Sequence, residues 1–211
     1  MRRPLRRRRD ASAGPDGRVA RSRAGYQKDA GVGQTVKKLT RAECVERFKS
    51  IKLLALDVDG VLTDDSIFFG PEGFELKKFN ISDGFYMVLA MRTGLELAIV
   101  SGRYSPATDT RMKDLGIKHV LQDRKDKVEQ LAPLLEQLNI DFSQVAFVGN
   151  ELLDIKLARK VGLPIAVADS AKELIDEVAY VTTRDGGNGA VRELIECYFE
   201  GNGIIPIDYV I

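Results

Sequence analysis

The chain has 211 residues, 44% hydrophobic and 30% charged with a formal net charge of +1, the composition of an ordinary globular protein with enough apolar residues for a substantial core. Its uncharged apolar runs, such as Leu97-Ala98-Ile99-Val100, fall far short of the ~20 residues of a membrane-spanning helix, so no span is predicted. Cys44 and Cys197 belong to neither a CxxC nor a Cys/His cluster, which predicts a reducing cytoplasm, and the single histidine, His119, leaves no material for histidine-metal clusters or histidine-centred triads.

The charge is unevenly spread. Residues 1–34 carry ten Arg and Lys against three Asp, a net +7 that leaves −6 for the remainder. With one aromatic, Tyr26, and no apolar periodicity, residues 1–40 are predicted to be a disordered basic extension rather than a nucleic-acid-binding arm. Asp10 and Asp16 argue against a targeting peptide. A single domain is expected over 41–200, followed by an apolar tail, 201–211.

From about residue 40, short apolar runs alternate with helical stretches, which predicts βαβ units. The expected fold is α/β, a Rossmann-like, mainly parallel sheet with helices on both faces. Buried strands are predicted at 52–58, 96–101, 118–121, 144–148, 164–168 and 178–181. Helices with apolar spacing of three and four are predicted at 85–92, 107–115, 125–138, 152–160, 171–177 and 189–198. One insertion, 66–80, reads as two strands around a Gly-Pro-Glu-Gly turn, a β-hairpin flap too short to be a cap domain.

Asp57 and Asp59 follow the apolar run Leu53-Leu54-Ala55-Leu56. The strand therefore delivers two carboxylates at its C-terminal end, where open α/β sheets bind ligands. One can attack phosphorus while the other shuttles the leaving group's proton, and a cation would suppress their repulsion. For Asp-x-Asp alone, a purely structural acidic corner is equally compatible. The extended run Asp57-Val-Asp-Gly-Val-Leu-Thr63 is more specific, and it resembles the haloacid dehalogenase superfamily of phosphatases. The resemblance implies a nucleophile at Asp57, a general acid/base at Asp59, and magnesium held with help from both.

Three further stations of that superfamily occur in order. Ser101 and Gly102, after the second core strand, offer a hydroxyl and free amides for a phosphoryl oxygen. Lys127 matches the lysine that neutralises nucleophile and phosphate, although Lys125 has the same chemistry two residues away. The stretch Gly149-Asn150-Glu151-Leu152-Leu153-Asp154 supplies oxygen ligands for a hard cation, with Asn150 and Asp154 as metal ligands. Asn150 and Glu151 stand where the superfamily usually has two aspartates, which lowers the charge offered to the metal.

The match extends over roughly residues 50–200. Glu75–Gly84, Ser101-Gly102-Arg103, Val161–Asp169 and Asp185–Glu193 resemble the capless 3-deoxy-D-manno-octulosonate 8-phosphate phosphatases. That resemblance implies a Mg²⁺-dependent homotetramer of lipopolysaccharide synthesis, in which hairpin flaps and C-terminal regions help close neighbouring sites. It places Arg103 on the carboxylate of a phosphorylated sugar acid and Asp83 among the substrate-binding residues. Ser82 and Asp123 depart from the pattern. Two alternatives remain: a phosphatase of acylneuraminate-type 9-phosphates, which Arg103 disfavours, and a non-catalytic tetramerisation or regulatory domain of the same fold.

Overall fold

A computed structural model describes residues 36–210. All but the last five residues of the expected basic extension lie outside that range. Among the described residues, eight strands occur in chain order: β1 (Leu53–Leu56), β2 (Phe68–Phe69), β3 (Glu75–Leu76), β4 (Glu96–Val100), β5 (His119–Leu121), β6 (Val145–Gly149), β7 (Leu163–Ala166) and β8 (Tyr180–Val181). The helices are α1 (Arg41–Phe48), α2 (Ile81–Arg92), α3 (Pro106–Asp114), α4 (Lys127–Leu138), α5 (Ile155–Ala158), α6 (Lys172–Glu177) and α7 (Ala190–Gly201).

Six strands form one parallel sheet in the order β5-β4-β1-β6-β7-β8, and β2 pairs with β3 as an antiparallel hairpin. The chain moves outward from β1 through β4 to β5, then returns to the other side of β1 for β6, β7 and β8. The order thus reverses at β1, and the crevice at its C-terminal end is a topological switch point.

β1 is apolar at every position and buried throughout. Its alternating side chains feed two cores, one on each face of the sheet. Leu54 and Leu56 join a cluster with residues of α1, α2, α3 and α7, including Phe48, Met87, Met112 and Leu194. Leu53 and Ala55 join the opposite cluster with α4, α5 and α6 through Leu131, Leu157 and Leu174. A strand buried on both faces reads as a continuous apolar run, which is why it is visible in the sequence.

Several element boundaries differ from the expectation, for local reasons. Helix α1 was not expected; Thr40 and Glu43 start it with a reciprocal capping box. Helix α2 begins four residues early because the Asn80 side chain accepts from the backbone N–H groups of Ser82 and Asp83. The expected helix at 152–160 divides into a 3₁₀ turn, Leu152–Asp154, and the short α5. The strand at 178–181 shrinks to two residues. In the expected tail, α7 runs on to Gly201 and a 3₁₀ turn spans Pro206–Tyr209, where the Tyr209 carbonyl accepts from Arg92.

The loop before α7 is pressed against the turn after β1. A Cβ at Gly186 would lie 1.9 Å from the Gly60 carbonyl oxygen, and the Gly187 N–H donates to the Val61 carbonyl at 2.9 Å. No side chain fits there without moving backbone. Gly186→Ala is expected to destabilise the fold by about 1–3 kcal/mol, seen as a Tm several degrees lower in a thermal melt; an unchanged Tm would show that these two loops do not pack as described.

Candidate active site

The switch-point crevice collects residues from four segments. β1 runs into Asp57 and Asp59, β4 into Ser101, Gly102 and Arg103, and β6 into Asn150, while Lys127 is the first residue of α4. These residues line a cavity of about 360 Å³. A second hollow of about 620 Å³ lies between the hairpin, from Gly73 to Lys77, and α3. It includes none of the crevice residues.

The Lys127 ammonium is buried between two carboxylates, 2.8 Å from Asp57 Oδ2 and 2.6 Å from Asp154 Oδ1. Burial works against its charge, but Asp57 and Asp154 outweigh burial and hold its pKa above the ordinary lysine value. Asp57 Oδ1 accepts from the Val58 N–H at 2.7 Å. Burial pushes the Asp57 carboxyl up to about 7, Lys127 pulling the other way and the Asp154 charge adding to the rise. Lys125, the chemical twin of Lys127 in sequence, lies on the cavity wall instead.

Asp154 is fully buried and its oxygens are engaged. Oδ2 accepts from the N–H groups of Asn150 and Glu151 at 2.8 and 3.1 Å, and Oδ1 accepts from Lys127. It therefore fixes the loop after β6 and the position of Lys127, where the sequence reading had it as a metal ligand. Asn150 is packed against Gly60: a Cβ there would lie 1.8 Å from Asn150 Nδ2, and Gly60 has φ +76°. Glycine is needed on both counts. Asn150 Oδ1 is buried without a hydrogen-bond donor, an unmet acceptor beside the carboxylates.

That orphaned oxygen, with the oxygen-only donors of Asp57 and Asp59, fits a hard divalent cation. Among the described residues, no three His, Cys, Asp or Glu side chains cluster closely enough to hold a metal by themselves. The fit depends on amide and main-chain oxygen.

Ser101 Oγ donates to the Arg103 carbonyl at 2.9 Å, closing the turn that aims Gly102 and Arg103 at the crevice. Arg103 is taken up within the chain: Nη1 and Nη2 donate to Glu75 at 2.6 and 3.2 Å, and Nε donates to Asp59 at 3.4 Å. Asp59 also accepts from Lys77 at 2.5 Å. The sequence reading missed Glu75 and Lys77 as site residues. The available signal was their spacing: two residues apart on an extended segment, both charges fall on the same face of the hairpin.

Asp83 is not brought to the crevice. Its carboxylate is buried at the start of α7, accepting from the N–H groups of Arg192 at 2.7 Å and Gly189 at 3.3 Å. It satisfies backbone donors that a helix N-terminus otherwise leaves without partners. Asp83, expected among the substrate-binding residues, caps the start of α7 in this structure.

Comparison with known proteins shows the family. Residues 116–194 match the haloacid dehalogenase-like hydrolase family. The 3-deoxy-D-manno-octulosonate 8-phosphate phosphatase of Escherichia coli (strain K12) is 41% identical over 162 residues, covering 77% of this chain and 86% of that protein. This chain belongs to that phosphatase family. It is accordingly a phosphoric monoester hydrolase of the haloacid dehalogenase type. The family's structure from Yersinia pestis superposes with a TM-score of 0.74 at 37% identity, covering 76% of this chain and 86% of that one. The Moraxella catarrhalis enzyme, solved in complex with magnesium ion, phosphate ion and a KDO molecule, gives a TM-score of 0.73 at 40% identity, covering 75% and 91%.

A carboxylate held in so buried a place has a consequence for stability. Asp57 binds its proton more tightly folded than unfolded, where its value is the ordinary 3.8. Its contribution therefore worsens as pH rises from about 4 to about 7 and stays unfavourable above. Asn at this position does not titrate. In cation-free buffer at pH 8, Asp57→Asn is expected to be more stable than wild type by on the order of 1–3 kcal/mol, with the gain shrinking toward pH 4. Thermal melts across that range would expose an error if the gain were absent at pH 8 or grew in acid.

Proposed function

We propose that the protein is a Mg²⁺-dependent phosphatase that hydrolyses 3-deoxy-D-manno-octulosonate 8-phosphate to the free sugar acid and phosphate through phospho-Asp57. The observation that carries this reading is the ammonium of Lys127 at 2.8 Å from Asp57, at the mouth of the central strand. It keeps a buried carboxylate available as a nucleophile and places positive charge where a phosphoryl group would approach.

In the first step an Asp57 carboxylate oxygen forms a bond to phosphorus as the bond from phosphorus to the sugar oxygen breaks, and Asp59 gives its proton to that oxygen. In the second, Asp59 takes a proton from water, whose oxygen attacks the phosphorus of phospho-Asp57, releasing phosphate and restoring the carboxylate. Lys127, Ser101 and the amides at Gly102 and Arg103 receive the phosphoryl oxygens. Asp57, the main-chain oxygen of Asp59 and Asn150 would hold Mg²⁺, with Asp154 orienting the loop; the bound cation supplies charge neutralisation between nucleophile and phosphate. Arg103 recognises the sugar-acid carboxylate by a bidentate fork.

The alternative of a non-catalytic domain draws support only from Asn150, since nucleophile, acid/base and lysine stand together. We also infer a cytoplasmic homotetramer serving lipopolysaccharide synthesis. Supporting the assembly, the hairpin and the tail expose large apolar groups, Phe69 at 70%, Phe74 at 65% and Ile207 at 71%. No helix among the described residues is long and apolar enough to cross a membrane.

Phosphate release from a panel of sugar phosphates tests the reading. The eight-carbon substrate is expected to be preferred, activity to vanish with EDTA and return with Mg²⁺, and Asp57→Asn to lose at least about a thousandfold in kcat. Unaltered turnover in Asp57→Asn would refute the phospho-aspartyl step. Asn150→Asp adds a charge at the orphaned oxygen and is expected to tighten Mg²⁺ binding about tenfold by calorimetry; an unchanged affinity would remove Asn150 from the ligand set.

A further inference from the structure

In this structure the guanidinium read as the carboxylate receptor already holds a carboxylate. A guanidinium recognises a carboxylate best through paired N–H groups in a fork. The Arg103 fork of Nη1 and Nη2 is occupied by both oxygens of Glu75 at 2.6 and 3.2 Å. Its Nε edge faces Asp59 at 3.4 Å. A sugar acid arriving at Arg103 therefore meets an intramolecular competitor of its own chemical class.

The competitor is mounted on the flap. Glu75 begins β3, and its Oε1 also accepts from Ser105 Oγ at 2.6 Å, where Ser105 is the buried N-cap of α3. Two residues on, Lys77 pairs with Asp59. The rest of the hairpin gives little to hold it down: β2 and β3 pair over two residues each, and Phe68, Phe69, Phe74 and Leu76 are exposed. The flap is thus fastened beside its turn and along β3 by ion pairs and one hydroxyl rather than by apolar burial. Such contacts are exchangeable for equivalent contacts from a ligand, whereas buried apolar area is not.

Resting on the reading of Arg103 as the receptor for the substrate's carboxylate, we propose that Glu75 is a built-in competing carboxylate that occupies Arg103 in the empty enzyme and is displaced by a sugar-acid ligand, carboxylate for carboxylate. Glu75 thereby sets affinity for acidic ligands. Only the fraction of molecules with the fork vacated is competent to bind, and apparent affinity falls by that fraction.

The test is the dissociation constant of 3-deoxy-D-manno-octulosonate, without phosphate, measured by calorimetry on the full-length protein. Glu75→Gln leaves a side chain that still accepts from Ser105 but no longer offers a charged fork; binding is expected to tighten about tenfold. Arg103→Met is expected to weaken binding at least tenfold, and Glu75→Gln added to Arg103→Met is expected to change nothing further. Ser105→Ala, which loosens the latch from the other side, should tighten binding by a smaller factor, and it keeps the test available if Glu75→Gln does not fold.

The outcomes separate the two ideas. If Arg103→Met leaves binding unchanged, the reading of Arg103 falls and the competitor with it. If Arg103→Met weakens binding while Glu75→Gln and Ser105→Ala leave it unchanged or weaker, Arg103 stands as receptor and the competing role of Glu75 is overturned.

Discussion

The buried ammonium of Lys127 is the constraint around which the rest of the site is arranged. Asp57 and Asp154 reach the same crevice from neighbouring parallel strands, and two carboxylates cannot share a dry site without a cation between them. Lys127 supplies it at 2.8 and 2.6 Å. Because the lysine is the first residue of α4, this also fixes where that helix starts. Because Asp154 spends its second oxygen on the N–H groups of Asn150 and Glu151, the loop after β6 is fixed by the same contact. One ion triad thus registers three segments distant in sequence.

Charge balance extends the pattern outward. Asp59 is matched by Lys77 and Arg103, and Arg103 by Glu75. Every carboxylate that the crevice needs for chemistry is held by a cation of the chain itself. Among the residues lining the crevice, Asn150 Oδ1 is left over, buried and without a donor. An aspartate there would have added a further negative charge beside Asp57 and Asp154, with Lys127 already shared between them. The amide keeps the oxygen and omits the charge, so the cation-free site carries less internal repulsion and offers a metal less attraction. Both consequences follow from the same substitution.

The sequence makes the fold legible wherever burial forces a simple pattern. β1, β4 and β6 are apolar at nearly every position because both faces are covered, and the carboxylates and Ser101 stand out at their ends. Lys127 could be chosen over Lys125 only through the order of motifs; its burial depends on Asp154, 27 residues away, which no local pattern contains. Asp83 shows the opposite failure. The family-like run around it implied substrate contact, yet its partners here are backbone N–H groups more than 100 residues later. Glu75 and Lys77 were hidden because charge in a hairpin ordinarily means solvent. Their meaning appears only when the flap is folded back over the crevice.

That folding-back bears on how so small a flap can serve where other α/β enzymes use a cap domain. A domain closes by burying apolar area, and its closure is then indifferent to the charge of what it encloses. This hairpin leaves its aromatic residues outside and turns Glu75 and Lys77 inward. Its hold on the domain consists of the same kinds of interaction that an anionic sugar would make with Arg103 and its neighbours. Ion pairs that a ligand reproduces can be exchanged at little net cost, while a ligand lacking the charge would leave the half-exposed Arg103 fork without a carboxylate if it displaced the flap. If a sugar acid displaces Glu75 as proposed, the flap discriminates by charge at the moment of entry, which a closure built on apolar packing alone could not do.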